Sequence, residues 1–275
     1  MVSYLDSYTQ SEFDQKLSVA KVRYSEGANP SENPYAYLLG GQSGAGKTTL
    51  HNILGQLLNN DVIVINGDEY RKSHPHFNAI QQQYGMDAPA HTAAWSGAMT
   101  EALIDAFSMQ HYNLIIEGTL RTSAVPLKTA KLLRERGYGV SLAIMAVKPQ
   151  ISLISCQIRY ELMRLAGTTP RATDPEHHNK IINDIADNLS ELEQSELFDE
   201  VMLYDRGGRC LYPRVSTSSE SDGLTDGASA EEFAPIASAA TASETLREVI
   251  FGPWTAEESE HYENLRLQLE SLKSM

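Results

Sequence analysis

Apolar runs and amphipathic stretches alternate along the first two-thirds of the chain. Thr9-x-x-Glu12 has the form of a capping box, and Phe13, Leu17 and Ala20 follow at helical spacing, which predicts a helix over residues 9–22. Turn-formers fill 25–34 and end it. Tyr35–Leu39 then reads as a strand, followed by a glycine-rich turn and a helix from 47 onward with Leu50, Ile53, Leu54 and Leu57 on one side. The order repeats: strands at Val62–Ile65, Leu114–Ile116, Val140–Val147 and Glu200–Tyr204, and helices at 92–109, 123–136, 150–165 and 175–194. Near-continuous apolar strands alternating with amphipathic helices predict an α/β fold, a largely parallel sheet covered on both faces. Such sheets bind ligands beyond the carboxyl ends of their strands.

The pattern changes near the end. Residues 216–242 hold 16 Ser, Thr or Ala in 27 positions, five acids and no Lys or Arg. So little apolar surface cannot offset the entropy of ordering, which predicts a flexible acidic loop over 214–242. It separates a domain at 1–213 from a helical tail at 243–275. Gly252-Pro253 is a stop signal, and Thr255-x-x-Glu258 opens a last helix with Tyr262, Leu265, Leu269 and Leu272 on one face. The tail reads as a brace packed on the domain, with a partner-binding element as the alternative.

The 275 residues allow one large domain with appendages. A formal charge of −14 argues against non-specific nucleic-acid binding. No apolar run reaches the ~18 residues of a membrane span, and Met1-Val-Ser-Tyr-Leu-Asp6 is not a secretory leader, so the expected location is the cytoplasm. Cys156 and Cys210 are too few for a disulfide framework and read as two buried thiols.

Chemistry concentrates at the strand tips. Gly41-Gln42-Ser43-Gly44-Ala45-Gly46-Lys47-Thr48 fits G-x-x-x-x-G-K-[ST] between a strand and a helix. Its glycines let backbone N–H groups crowd a phosphate, Lys47 can reach the β- and γ-phosphates, and Thr48 can hold Mg²⁺. With Thr49 these residues are the expected ATP site. After the second strand comes Asn66-Gly67-Asp68-Glu69-Tyr70-Arg71, then His74-Pro75-His76. Asp68 can accept a proton from an attacking hydroxyl, or serve as a helix N-cap. His74 and His76 are weak metal ligands at that spacing and are expected to pack on the substrate side. The third strand ends at Glu117, like a Walker B strand with Glu in place of Asp, suited to Mg²⁺ through water or to a sugar hydroxyl. Thr119 and Arg121 extend the same rim. Glu101, taken alone, reads as a solvated charge. Arg159 and Arg171 can neutralise a transferring phosphoryl group, or form surface ion pairs.

Together these motifs resemble the zeta toxin family, the kinase halves of bacterial toxin–antitoxin systems. The likeness rests on the phosphate loop through Thr48, on Asn66–Arg71 with His74-Pro75, on Ile116-Glu-Gly-Thr-Leu-Arg-Thr122, on Ile158-Arg-Tyr-Glu161 and on Arg171-Ala-Thr173, in matching order over roughly 8–213. It implies phosphorylation of the 3′-hydroxyl of UDP-N-acetylglucosamine by ATP and Mg²⁺, with peptidoglycan synthesis as the casualty. Lys47 and Thr48 match the phosphate and Mg²⁺ residues, and Asp68 the base. Arg159 and Arg171 match the arginines on the phosphoryl group, and Glu101, Glu117, Thr119 and Arg121, with Asp68, the substrate pocket. A separate antitoxin chain is the implied partner. The rival readings are a kinase of another small metabolite or drug and, in a different class, a nucleotide-gated binding module. The guanine-selecting N/T-K-x-D element is missing, since Asn179-Lys180 is followed by two isoleucines.

Overall fold

The computed structural model describes residues 4–168, 170, 172–213 and 240–275. Five parallel strands, β1 (Tyr35–Gly40), β2 (Ile63–Asn66), β3 (Leu114–Glu117), β4 (Gly139–Met145) and β5 (Val201–Tyr204), form one sheet. A short antiparallel strand, β6 (Cys210–Tyr212), closes its edge, in the order β2-β3-β1-β4-β5-β6. The α/β expectation is met, with a sixth strand that three residues were too few to announce.

Alternation along the strands divides the core in two. Ala36 and Leu38 of β1 face one cluster with Leu114 and Ile116, while Tyr37 and Leu39 face another with Ile115 and Met145. The first cluster is sealed by α1 (Gln10–Ser25), α6 (Ala93–Ser108), α7 (Ala124–Glu135), α9 (Pro175–Gln194) and α10 (Ala242–Phe251). The second lies under α2 (Thr48–Leu57), α8 (Pro149–Leu165) and α11 (Ala256–Lys273). Burying an apolar side chain is worth roughly 1.5–3 kcal/mol, so these two layers dominate the stability.

Helix α1 begins where expected: the Thr9 side chain accepts from Glu12 N, and the Glu12 carboxylate accepts from Thr9 N. Thr255 and Glu258 form the same box at the start of α11. Leu269 of α11 packs on Ile154 and Ile158 of α8. Buried Lys148, at the start of α8, donates to the carbonyls of Gly252 and Pro253 at 2.9 and 3.2 Å, which ties the turn between α10 and α11 to the domain. Most of the expected loop 214–242 lies outside the described residues; its last residues, Thr241 and Ala242, cap and open α10.

Between β2 and α6 the chain makes short helical turns, α3 (Gly67–Tyr70), α4 (Phe77–Tyr84) and α5 (Ala88–His91). Residues 66–71 read as turn-formers in sequence, and the structure corrects this to a single helical turn. Its N-cap is Asn66, whose side chain accepts from Asp68 N, so Asp68 is not a cap. Two further expectations are corrected. His74 is buried against Tyr8 and Trp95, away from the strand tips, because the aromatic cluster takes its ring edge-on. Cys210 is exposed on the edge strand, while Cys156 is buried.

Candidate active site

Register brings three strand tips level. Leu39 pairs with Glu117, and Asn66 pairs with Glu117 from the other side. The chain leaves β1 for β2 on one flank and returns for β4 on the other. The glycine loop therefore emerges at the point where strand order reverses, where a crevice must open. A cleft of ≈ 1160 Å³ fills it.

The loop is shaped for an anion. Gly41, Gly44 and Gly46 have φ of +134°, +78° and +97°, a region that side chains avoid. Ser43, Gly44, Gly46, Lys47 and Thr48 line the cleft. Gly41, Gln42 and Ala45 are buried behind them. Thr49 faces the turn after β5 and does not line the cleft. The Gln42 side chain is structural: Nε2 donates to Val147 O and to Ser152 Oγ, both at 3.1 Å, and so fastens the loop to the start of α8. Gly44 lies so close to α8 that a Cβ there would stand 2.1 Å from Ser152 O.

Lys47 folds over the loop and donates to Gly41 O at 2.9 Å, and its Nζ lies 3.7 Å from Glu117 Oε1. Burial lowers its pKa, and the charges of Glu117 and Asp68 partly restore it. The Asp68 carboxylate thus shares the electrostatic neighbourhood of the phosphate-loop lysine, and it lines the same cleft. Its placement rests on α6: Ser96 Oγ donates to Gly67 O at 2.7 Å, and Trp95 Nε1 to Tyr70 O at 3.0 Å. Arg71 holds Asp68 Oδ1 at 2.8 Å while its Nη1 donates to Pro89 O and Thr92 Oγ1.

Glu117 is the hub of the floor. Its Oε2 accepts from Asn66 Nδ2 at 3.0 Å and lies 3.1 Å from His51 Nε2. Beyond it, Leu120 adopts φ +56° with its side chain buried, and Asn188 Nδ2 donates to its carbonyl. That kink leaves Thr119 and Arg121 both lining the cleft. Glu101 stands at the rim, 71% exposed and 3.3 Å from Lys128. Arg159 reaches the cleft from α8. Arg171 lies outside the described residues.

The resemblance drawn from the motifs extends to whole chains. Residues 20–217 match the family described as Zeta toxin. The toxin PezT of Streptococcus pneumoniae is 38% identical over 257 residues, 93% of each chain. The toxin zeta of Streptococcus pyogenes is 36% identical over 214 residues, 78% of this chain and 75% of its own. A solved structure from the PezAT chromosomal toxin–antitoxin system of Streptococcus pneumoniae superposes with a TM-score of 0.82 at 35% identity, across 99% of this chain and 100% of that one.

The chain belongs to the zeta toxin family. Family and fold together make it a kinase-type phosphotransferase. Sequence reasoning missed two side chains that line this zeta-family cleft, Arg71 and Arg206, and one that contacts its Glu117, His51. His51 sits on α2 and meets Glu117 only through the fold. Arg71 was quoted in a motif, but nothing local said that it would hold Asp68. Arg206 follows the tip of β5, the kind of position that singled out Asp68 and Glu117, and the same rule could have found it.

The Glu117 hub carries a pH signature. Burial raises its carboxyl, but His51 and Lys47 outweigh burial and leave the pKa below the ordinary 4.5. A group depressed in this way stabilises the fold above its unfolded pKa, and the contribution fades as pH falls through the folded value. Glu117→Gln is therefore expected to lower Tm at pH 7, with the gap to the unsubstituted protein closing below pH ~4.5. Scanning calorimetry across pH reads this directly, and a gap that stays constant with pH contradicts it.

Proposed function

We propose that this chain transfers the γ-phosphate of ATP to the 3′-hydroxyl of UDP-N-acetylglucosamine, and so acts as a toxin against peptidoglycan synthesis that a separate antitoxin chain restrains. The reading is carried by one observation: the phosphate loop, Lys47, Asp68, Glu117 and Arg159 border a single cleft. The toxin–antitoxin setting is supported by the PezAT system that contains the similar solved structure.

ATP fits the residues present. Three glycines open the loop at positive φ, and a side chain at Gly44 would fill the space that the loop occupies against α8. Mg²⁺ fits as well, since the Thr48 hydroxyl and the Glu117 carboxylate offer oxygen donors in the same cleft. When bound, the ion neutralises charge on the β- and γ-phosphates.

The protein's own part is positioning and charge. Backbone N–H groups of the loop and Lys47 hold the donor phosphates. Asp68, steadied by Arg71, orients the acceptor alcohol and takes its proton as the new P–O bond forms. Arg159, and Arg171 on the family likeness, stabilise charge on the phosphoryl oxygens in flight. Glu101, Glu117, Thr119 and Arg121 line the acceptor side, where hydrogen bonds to sugar hydroxyls discriminate strongly against analogues that lack them.

The test is mass spectrometry of UDP-N-acetylglucosamine after incubation with ATP, Mg²⁺ and purified protein, with Lys47→Ala as control. A phosphorylated product from the unsubstituted protein alone is expected. Product on a different member of a sugar-nucleotide panel, and none here, would move the substrate assignment.

A further inference from the structure

The arginines of this acidic chain sort into two groups. Arg71, Arg134, Arg136, Arg164, Arg209, Arg247 and Arg266 each sit within 4.0 Å of a carboxylate. Among the described residues, Arg23, Arg121, Arg159 and Arg206 do not; Arg23 is exposed on α1 over the Tyr24 ring, and the other three line the cleft. Two of them already have roles in the proposed reaction. The third has none.

Arg206 occupies the turn after β5 and faces the phosphate loop. Its Nε stands 3.6 Å from the place a Cβ on Gly46 would take. Its Nη1 donates to Ser155 Oγ at 2.6 Å, and Ser155 lies one turn before Arg159 on α8, also in the cleft. The turn is built to aim it. The Asp205 carboxylate, the nearest acid in sequence, is engaged instead by Arg209, whose backbone N and Nε donate to it at 2.9 and 3.0 Å. Gly208 closes the turn at φ +86° against Thr49 and Ile53 of α2. A partly desolvated guanidinium without a counter-ion costs free energy in the empty protein. A bound phosphate removes that cost and accepts the forked donors.

We propose that Arg206 is a donor-binding residue that grips the phosphate chain of the nucleotide beside Gly46, with Ser155 as the residue that positions it. This deepens the ATP reading of the cleft and rests on it.

Donor binding without acceptor is the test. ATP, inorganic triphosphate and adenosine are titrated calorimetrically into the unsubstituted protein, Arg206→Ala, Arg206→Lys and Ser155→Ala, with Lys47→Ala as control. Arg206→Ala is expected to weaken ATP and triphosphate roughly 10- to 100-fold, the range for hydrogen bonds to charged groups, and to leave adenosine unchanged. Arg206→Lys recovers part of the loss, and Ser155→Ala shows a smaller one. The ligand-free Tm of Arg206→Ala is expected to match or exceed that of the unsubstituted protein, since no ion pair is broken. ATP binding within twofold of normal in Arg206→Ala overturns the proposal. So does an equal loss for adenosine, which would place the side chain on the base, or a lowered ligand-free Tm with an unchanged ATP-induced Tm shift, which would make it structural. No acceptor is present, so Arg206-dependent ATP binding in a protein that leaves UDP-N-acetylglucosamine untouched would fault the acceptor assignment alone.

Discussion

Asp68→Ala is expected to bind ATP within about threefold of the unsubstituted protein and to lose phosphoryl transfer by roughly 10²–10⁴-fold, the range for a general base. The split follows from where the carboxylate sits. The donor cradle is made by the loop after β1, while Asp68 arrives on α3, anchored to α6 by Ser96 and Trp95. Removing it subtracts nothing from the cradle. It does leave Arg71 without the carboxylate it holds at 2.8 Å, so Asp68→Asn is the cleaner comparison, keeping an oxygen for Arg71 while losing basicity. Both variants are to be scored by ATP titration and by single-turnover product formation. Near-normal turnover in Asp68→Asn would remove the base from the mechanism. Loss of ATP affinity in step with turnover would reassign Asp68 to the donor.

Gly44→Ala is expected to destabilise the fold by roughly 2–5 kcal/mol and to abolish nucleotide binding, from left-handed backbone strain together with overpacking. The new methyl would meet Ser152 O at 2.1 Å and Cys156 Sγ at 2.7 Å. Ser152 O belongs to a helix backbone and cannot swing aside as a side-chain tip can. Gly27→Ala separates the two causes. Its φ is +82°, but nothing lies within 4 Å of its would-be Cβ, so it bears the strain without the collision. Thermal denaturation of the pair should show Gly27→Ala slightly lowered and Gly44→Ala lowered by several degrees more. Equal shifts would mean that contact with α8 contributes nothing.

The sheet was legible because its strands are buried on both faces and read as unbroken apolar runs. Observed bounds differ from the predicted ones by a residue or two at each of the five predicted strands. Residues 67–91 were illegible for the opposite reason: helices of four to eight residues complete too few turns to display a period. The glycine loop, Asp68 and Glu117 could be found because catalytic groups of parallel sheets gather at strand tips, which can be counted along the chain. What surrounds them could not. His51 reaches Glu117 from another element, Arg71 is braced by Pro89 and Thr92, and Asn188 fixes the kink at Leu120 from 68 positions away. His74 was placed by its i, i+2 spacing to His76 alone, whereas its ring is held by Tyr8 and Trp95, which no local spacing announces.

The seam between Gly44, Gln42 and the first turns of α8 bears on how such a catalyst works through its cycle. The loop is keyed to the same helix that presents Arg159, by close packing at Gly44 and by the Gln42–Ser152 hydrogen bond. Cradle and guanidinium are therefore fastened to one helix, so a change that shifts the first turns of α8 disturbs both at once.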